Sequence, residues 1–320
     1  MHEQIRPFTR VAVFGGVTID RIATSAHPPV AGASNPGTIL SAPGGVGLNI
    51  ASILARLGLE TRLVARVGAA ADGEAVIAAA QAAGIDTTAV GVSPASPTAR
   101  YLATLDDQGN LIIGISDMHV YEEMTPAAVA AAAVGAVDDL WVVDANLPAD
   151  TLAFLVGEAA VARRPIAAVA VSPAKAVRLA PLLDRLTLVF ANRREAAALL
   201  KRAWQDKGPA AADLASELSS ALTPHVIVTN ASDPLAAARR GEVRSLAPLR
   251  AQVRSVNGGG DALAAGTIHG LSQGREFFEA VLWGLAAAAL TIESDSVPAT
   301  DFSSRRLAER IAAAGEPAAP

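Results

Sequence analysis

Short β-branched runs alternate with helical runs along most of this chain, and that alternation leaves few folds open to it. Arg10 to Phe14 reads as a strand ending at Gly15-Gly16, and Gly44 to Gly47 open a helical run from Leu48 to Leu57 that Gly58 stops. Thr61 to Val67 reads as a strand, Asp72 to Ala83 as a helix and Thr88 to Val92 as a short strand. Further strands are expected at Leu140 to Val143, Ile166 to Val171, Leu186 to Phe190 and His225 to Thr229. Helices are expected between and after them at Leu152 to Ala162, Ala174 to Leu183 and Arg194 to Arg202. Strand, crossover helix and strand in series imply an α/β fold: a mostly parallel, doubly wound sheet with a helical layer on each face.

Two segments break this rhythm. Residues 17–43 are rich in Pro, Ser and Gly, and residues 98–120 carry Tyr101 to Leu105 and Leu111 to Ile115 around Asp106-Asp107-Gln108-Gly109-Asn110, a β-hairpin pattern. Neither holds a crossover helix. The expectation is a discontinuous β lid, 17–43 and 98–120, on an α/β core of 1–16, 44–97 and 121–320. The alanine-rich stretch 127–137 is expected to be a surface helix.

Composition removes several function classes. With 26 basic and 31 acidic residues the formal charge is −5, which gives no overall electrostatic footprint for nucleic acid or an anionic membrane. The absence of cysteine excludes disulfides, thiolate nucleophiles and cysteine-held metals, and the five histidines show no metal-ligand spacing. The most apolar stretch, Ala280 to Ile292, lies between Glu279 and Glu293 and is too short for a bilayer of about 30 Å. The first residues, Met-His-Glu-Gln-Ile-Arg, lack the pattern of a signal peptide, so a cytoplasmic protein is expected.

The sharpest chemical signal is Ser255-Val-Asn-Gly-Gly-Gly-Asp261 before the apolar helical run Ala262 to Ile268. Three glycines let the N–H groups of Gly258, Gly259 and Gly260 turn toward one point, and the positive end of the helix adds to the attraction for a phosphate or developing oxyanion. A carboxylate beside such a cradle makes sense as a base taking a proton from a hydroxyl that attacks phosphorus. The alternative is that Asp261 is an N-cap and the glycines a loop. A second cluster, Pro43-Gly44-Gly45-Val46-Gly47-Leu48-Asn49, also opens a helix, but a dinucleotide fingerprint would follow the first strand directly and this one does not. Asn49 and Asp20 have the chemistry to bind vicinal hydroxyls. Each has a turn or capping role as its alternative.

With both clusters in view, the sequence resembles the PfkB/ribokinase family of sugar and nucleoside kinases. Gly44-Gly45-Val46-Gly47-Leu48-Asn49-Ile50-Ala51, with Gly58 and Gly68, fits the family's N-terminal signature. Ser255 to Ile268 fits the C-terminal one, with Gly259 in place of the usual alanine and Thr267 in place of an apolar residue. Asn192-Arg-Arg-Glu195 looks like the family's Asn-x-x-Glu motif; alone it would be an ordinary helix start. Within the family, Ser34-Asn35-Pro36-Gly37, Ile115-Ser-Asp117-Met118-His-Val120 and Val143-Asp144-Ala-Asn146 are similar to the members that phosphorylate pseudouridine. Ser172-Pro173-Ala174-Lys175 looks like a shortened form of their lysine-bearing stretch, which leaves Lys175 either as that lysine or as a solvated helix residue.

The resemblance implies a ribokinase-like fold, Asp261 as catalytic base and an anion hole of Asn257, Gly258, Gly259 and Gly260. It implies substrate contacts from Asp20, Gly44, Gly45, Asn49 and Lys175, and ATP contacts from Asn192, Thr229, Gly258 and Gly260. Mg²⁺ would be held through water near Glu195 and Asn192, a monovalent cation such as K⁺ is a further candidate, and the lid would pair in a homodimer. The implied substrates are a nucleoside and ATP, pseudouridine first, with ribose, uridine, cytidine or adenosine as other acceptors; a nucleoside-binding protein without catalysis is the third reading. Two departures stand out: Ser172 replaces a usual aspartate, and Thr229-Asn-Ala-Ser-Asp-Pro234 lacks the two glycines that shape the family's nucleotide-binding turn.

Overall fold

The computed structural model describes residues 5–134, 138–205, 207–294 and 301–315. Residues 1–4 of the segment read for a leader, and 135–137 of the alanine-rich stretch, lie outside the described residues. Strand β1 (Arg10–Phe14) is followed by β2 (Thr18–Ser25), β3 (Gly37–Gly44), α1 (Val46–Arg56), β4 (Glu60–Gly68), α2 (Ala71–Ala82), β5 (Val90–Ser93), β6 (Arg100–Leu105) and β7 (Leu111–Asp117). A 3-10 turn (His119–Glu123) leads to α3 (Pro126–Ala133), β8 (Leu140–Asp144), α4 (Ala149–Val161), β9 (Ile166–Val169), α5 (Pro173–Ala176) and a second 3-10 segment (Ala180–Arg185). Then come β10 (Leu188–Asn192), α6 (Arg193–Leu199), α7 (Ala211–Ala221), β11 (His225–Asn230), β12 (Asp233–Arg239), β13 (Glu242–Leu246), α8 (Gly259–Ser272), α9 (Phe277–Ile292) and α10 (Ser304–Gly315).

Nine strands form one sheet in the order β13-β12-β11-β10-β9-β8-β1-β4-β5. Its pairings are parallel except where β12 and β13 close one edge antiparallel. Strand β1 shows how a central strand feeds two cores: Val11 and Val13 pack on one face with Ile50, Ile53 and Ile268, while Ala12 and Phe14 pack on the other with Trp141, Leu152 and Leu155. The winding reverses between β1 and β8, so the strand ends diverge there into the crevice where α/β sheets place ligands.

A second, four-stranded sheet has the order β3-β2-β6-β7. Its hairpin turn is held by Asp106, whose carboxylate accepts from the N–H groups of Gln108 (2.9 Å) and Asn110 (2.8 Å) and from the Asn110 side chain (2.9 Å).

Several local expectations give way to backbone chemistry. The helix expected over 174–183 stops after one turn and resumes as a 3-10 segment, because Pro181 lacks the N–H that an α-helical ladder needs there. The strand expected to reach Val171 ends at Val169, and Val171 takes a φ of 67°, rare for a β-branched residue, in a tight turn closed by the Ser172 N–H on the Ala170 carbonyl (2.8 Å). Strands β12 and β13 were not expected, since Ala236 to Ala238 carry little β preference; pairing with β11 overrides it.

Helices α8 and α9 pack closely, and α8 carries Asp261. A Cβ at Gly284 of α9 would lie 2.5 Å from the Leu263 carbonyl oxygen of α8, so only glycine permits this approach. Gly284→Ala is expected to destabilise the fold by about 1–3 kcal/mol through overpacking, read as a lower urea midpoint at unchanged slope; an unchanged midpoint would show that the two helices can part without cost.

Candidate active site

The crevice at the β1–β8 switch gathers side chains from several separate stretches. Asp144, at the end of β8, is 1% exposed; its Oδ2 accepts the Gly16 N–H (2.7 Å) and its Oδ1 the Asn146 N–H (2.8 Å). Burial raises its pKa above the ordinary carboxylate value, with those hydrogen bonds opposing. Asn146 accepts from the Lys175 ammonium (2.6 Å), and burial lowers the lysine's pKa. Lys175 is thus half-buried and engaged, not a solvated helix residue. Arg178 fixes the same turn by donating to the carbonyls of Ala145 (3.3 Å), Asn146 (3.0 Å) and Leu147 (2.9 Å).

Across the crevice, Gly45 begins α1 with a φ of 95°, and a Cβ there would lie 2.8 Å from the Gly16 carbonyl oxygen. A Cβ at Gly44 would collide with the Asp20 carboxylate, so the glycine backbone and this acid are in direct apposition. Asp20 Oδ1 accepts from the Thr18 hydroxyl (2.7 Å), while burial pushes its pKa up. Asn49 lies inside α1 and caps nothing: its Nδ2 donates to Asp261 Oδ2 (2.8 Å), and its buried Oδ1 has no partner among the described residues.

Asp261 is the third residue of α8. The N-cap position belongs to Gly258, at a φ of 72°, so the capping alternative for Asp261 is set aside. Loss of hydration is the main cause that raises its pKa to about 7; Asp144, Asp20 and Glu195 add to it and the Asn49 hydrogen bond opposes. A Cβ at Gly260 would meet nothing within 4 Å, which leaves the first turn of α8 open to the crevice. Asn257 is exposed, its N–H on the Ser255 hydroxyl (3.2 Å).

Asn192 and Thr229 sit side by side in register at the ends of β10 and β11. Asn192 caps α6 in a reciprocal box: its Oδ1 accepts the Glu195 N–H (3.0 Å), and the Glu195 carboxylate accepts the Asn192 N–H (2.8 Å) and side-chain amide (2.7 Å). Glu195 is buried without a cationic partner among the described residues, and burial raises its pKa. Beyond Thr229, Ala231 takes a φ of 51°, a glycine-like conformation at the turn where the family's glycines are missing. Among the described residues no three His, Cys, Asp or Glu side chains group as a metal cage. None of the described helices is long and apolar enough to cross a membrane.

The sequence reading passed over two groups here. Asp144 appeared only as part of a resembling stretch, although a carboxylate at the end of a strand beside a Gly-Gly turn is itself a signal. Tyr121 is fully buried and donates to the Val17 carbonyl (2.8 Å); nothing in its local sequence marks it.

The chain carries a nine-stranded α/β scaffold, a glycine-lined crevice at its switch point and a carboxylate on the first turn of a helix, the constellation of a phosphotransferase acting on an alcohol. Residues 9–301 match the pfkB family of carbohydrate kinases, and the chain belongs to that family. It is 29% identical over 292 residues to a pseudouridine kinase of Escherichia coli, covering 90% of this chain and 92% of that protein. A solved carbohydrate kinase from Agrobacterium tumefaciens superposes with a TM-score of 0.82 at 34% identity, over 94% of this chain and 96% of its own. Ribokinase of Arabidopsis thaliana complexed with ribose and ATP shares the fold, with a TM-score of 0.78 at 18% identity over 95% and 99% of the two chains.

The raised pKa of Asp261 has a thermodynamic consequence. The unfolded chain loses this proton near pH 4 and the folded protein near 7, so ionisation weakens the fold progressively across that window. Asp261→Asn is therefore expected to gain melting temperature relative to the parent as pH rises from 4 to 8; a difference independent of pH would refute the shift.

Proposed function

We propose that the protein is an ATP-dependent kinase that phosphorylates the 5′-hydroxyl of pseudouridine, giving pseudouridine 5′-phosphate and ADP. The observation that carries the reading is Asp261, a base tuned to about 7 on the open first turn of α8. A carboxylate ready to take a proton near neutrality, beside N–H groups that attract phosphate, suits transfer to an alcohol. The acceptor is taken from the E. coli relative and from the stretches around Asn146 and Lys175.

In this reading Asp261 accepts the 5′-hydroxyl proton, the oxygen attacks the γ-phosphorus, and the bond to the bridging oxygen breaks as ADP leaves. The N–H groups of Gly258, Gly259 and Gly260, with Asn257 at the loop, hold charge on the transferring group. Asp20, Asn49 and the Gly44-Gly45 backbone hold the ribose, Lys175 stands toward the base, and Thr229 and Asn192 border the nucleotide. Mg²⁺ supplies charge neutralisation on the phosphates. Both Glu195 oxygens already accept hydrogen bonds, so Glu195 and Asn192 would hold the metal through water. Assays with and without K⁺ test a monovalent requirement, and the cytoplasm is the compartment that supplies ATP.

The small sheet acts as a lid that excludes water. It also leaves Ile39, Leu40, Leu111, Ile112, Ile113 and Ile115 half or more exposed, apolar area that a second copy's lid would cover in a homodimer. Ile113→Arg is expected to shift the protein to monomer in sedimentation velocity, and a monomeric parent would end the dimer reading.

Asp261→Asn is expected to lower kcat by roughly 10²–10⁴-fold with little change in KM, the usual range for loss of a general base. In the parent, kcat/KM should fall about tenfold per unit as pH drops below about 7. A kinase assay over pseudouridine, uridine, cytidine, adenosine and ribose tests the acceptor; preference for any acceptor but the first overturns it.

A further inference from the structure

At the opposite edge of the large sheet, the N-terminal ends of β1, β8, β9, β10 and β11 border an open cleft of about 1500 Å³. Arg6, Arg10, Arg163, Arg164, Arg185 and Arg240 line it, against two carboxylates, Asp139 and Asp184. Arg10 is paired with Asp139 (2.9 Å), and Arg164 stacks on Trp141 (4.5 Å) while donating to the Asp138 carbonyl (2.7 Å). Arg6, Arg163, Arg185 and Arg240 are exposed, and none forms an ion pair among the described residues. They come from four separate chain segments.

Helix ends account for part of this. Helices α4 and α7 finish at this edge, where their negative ends favour cations. Two of the arginines nevertheless occupy positions that usually favour glycine: Arg163 (φ 52°), just past the end of α4, and Arg240 (φ 48°), in the turn between β12 and β13. A left-handed arginine is disfavoured where glycine would serve. His225, 8% exposed on the cleft wall, adds no negative charge, and burial together with Arg239 and Arg240 lowers its pKa. With four more arginines than carboxylates, the cleft is strongly positive on a protein whose formal charge is −5.

We infer that this cleft binds a small polyphosphorylated anion, the phosphate chain of a nucleoside triphosphate or a free polyphosphate, at a site separate from the catalytic crevice. Guanidinium groups brought to one cleft from several chain segments suit several phosphates, since each can make bidentate contacts. The length of a strand, about 15 Å, separates this cleft from Asp144 and Asp261, so the ligand does not take part in the chemistry there. The inference does not rest on the identity of the acceptor.

Calorimetry at low salt tests it in two arms, inorganic tripolyphosphate and the non-hydrolysable ATP analogue AMP-PNP. Each is titrated into the parent, Arg163→Gln/Arg240→Gln and Arg163→Glu/Arg185→Glu/Arg240→Glu. If the ligand is a nucleotide, the parent takes two equivalents of AMP-PNP and the charge-reversed variant one. If it is free polyphosphate, AMP-PNP stops at one equivalent, tripolyphosphate still binds with the catalytic site filled, and the glutamine pair weakens that binding at least tenfold. In either case kinase turnover without added polyphosphate stays at the parental value in both variants. One equivalent of AMP-PNP that the charge-reversed variant still binds, with no further tripolyphosphate binding, overturns the proposal, as does binding that the glutamine pair leaves unchanged, or tighter binding of a short RNA than of tripolyphosphate. A lost kinase activity toward every acceptor would defeat the proposed function without touching this result.

Discussion

The geometry of the crevice depends on one buried carboxylate taking two backbone N–H groups. Asp144 holds the N–H of Gly16 at the end of β1 and that of Asn146 beyond β8, which locks two adjacent strand ends at the point where the sheet changes direction. A side chain at Gly15 would overlap this carboxylate, so the turn after β1 must be glycine. The fixed turn then receives α1: the Gly47 N–H donates to the Gly16 carbonyl (2.9 Å), and the first turn of the helix rests on it. Asn49, one turn along, is thereby aimed at Asp261 on α8. Each contact in this series is only as well placed as the one before it.

The same packing sets the electrostatics. Asp20, Asp144, Glu195 and Asp261 come from four different elements, and poor solvation raises the pKa of each. Like charges add to the effect on Asp261, so the group proposed to take the proton is the one whose affinity for it reaches about 7. A triphosphate approaching this ring of acids would be repelled. The helix start at Gly258 and Lys175 are counterweights among the described residues, while Arg178 is committed to the carbonyls of Ala145, Asn146 and Leu147.

The alternation of strands and helices made the sheet legible because periodicity survives single-residue irregularities, and the glycine clusters marked the two helix starts because only glycine tolerates such close approaches. Details decided by one residue's backbone chemistry were less visible. Pro181 broke a helix whose apolar pattern continued through it, Val171 turned where its side chain favours a strand, and β12 formed through alanines with no β preference because an edge was there to pair with. At the site, residues inside glycine-rich motifs could be named in advance. Asp144 offered only the weak signal of a carboxylate at a strand end, its partner Gly16 lying 128 residues away, and Tyr121 offered none, because it acts on Val17 across a separation of 104 residues.

Net charge averaged away the most informative electrostatic feature. A total of −5 spread evenly would give a weakly acidic surface, but here Asp20, Asp144, Glu195 and Asp261 act on one another at the crevice while six arginines and two carboxylates line the cleft at the N-terminal strand ends. Parallel β-α-β winding favours such sorting, because crossover helices run opposite to the strands and present their positive ends near one edge and their negative ends near the other. Acids that would repel one another are tolerated beside positive helix ends, and arginines beside negative ones. The dipoles explain why each sign collects at its own edge. They do not account for Arg240, which lies in a strand turn rather than at a helix end and forms no ion pair among the described residues.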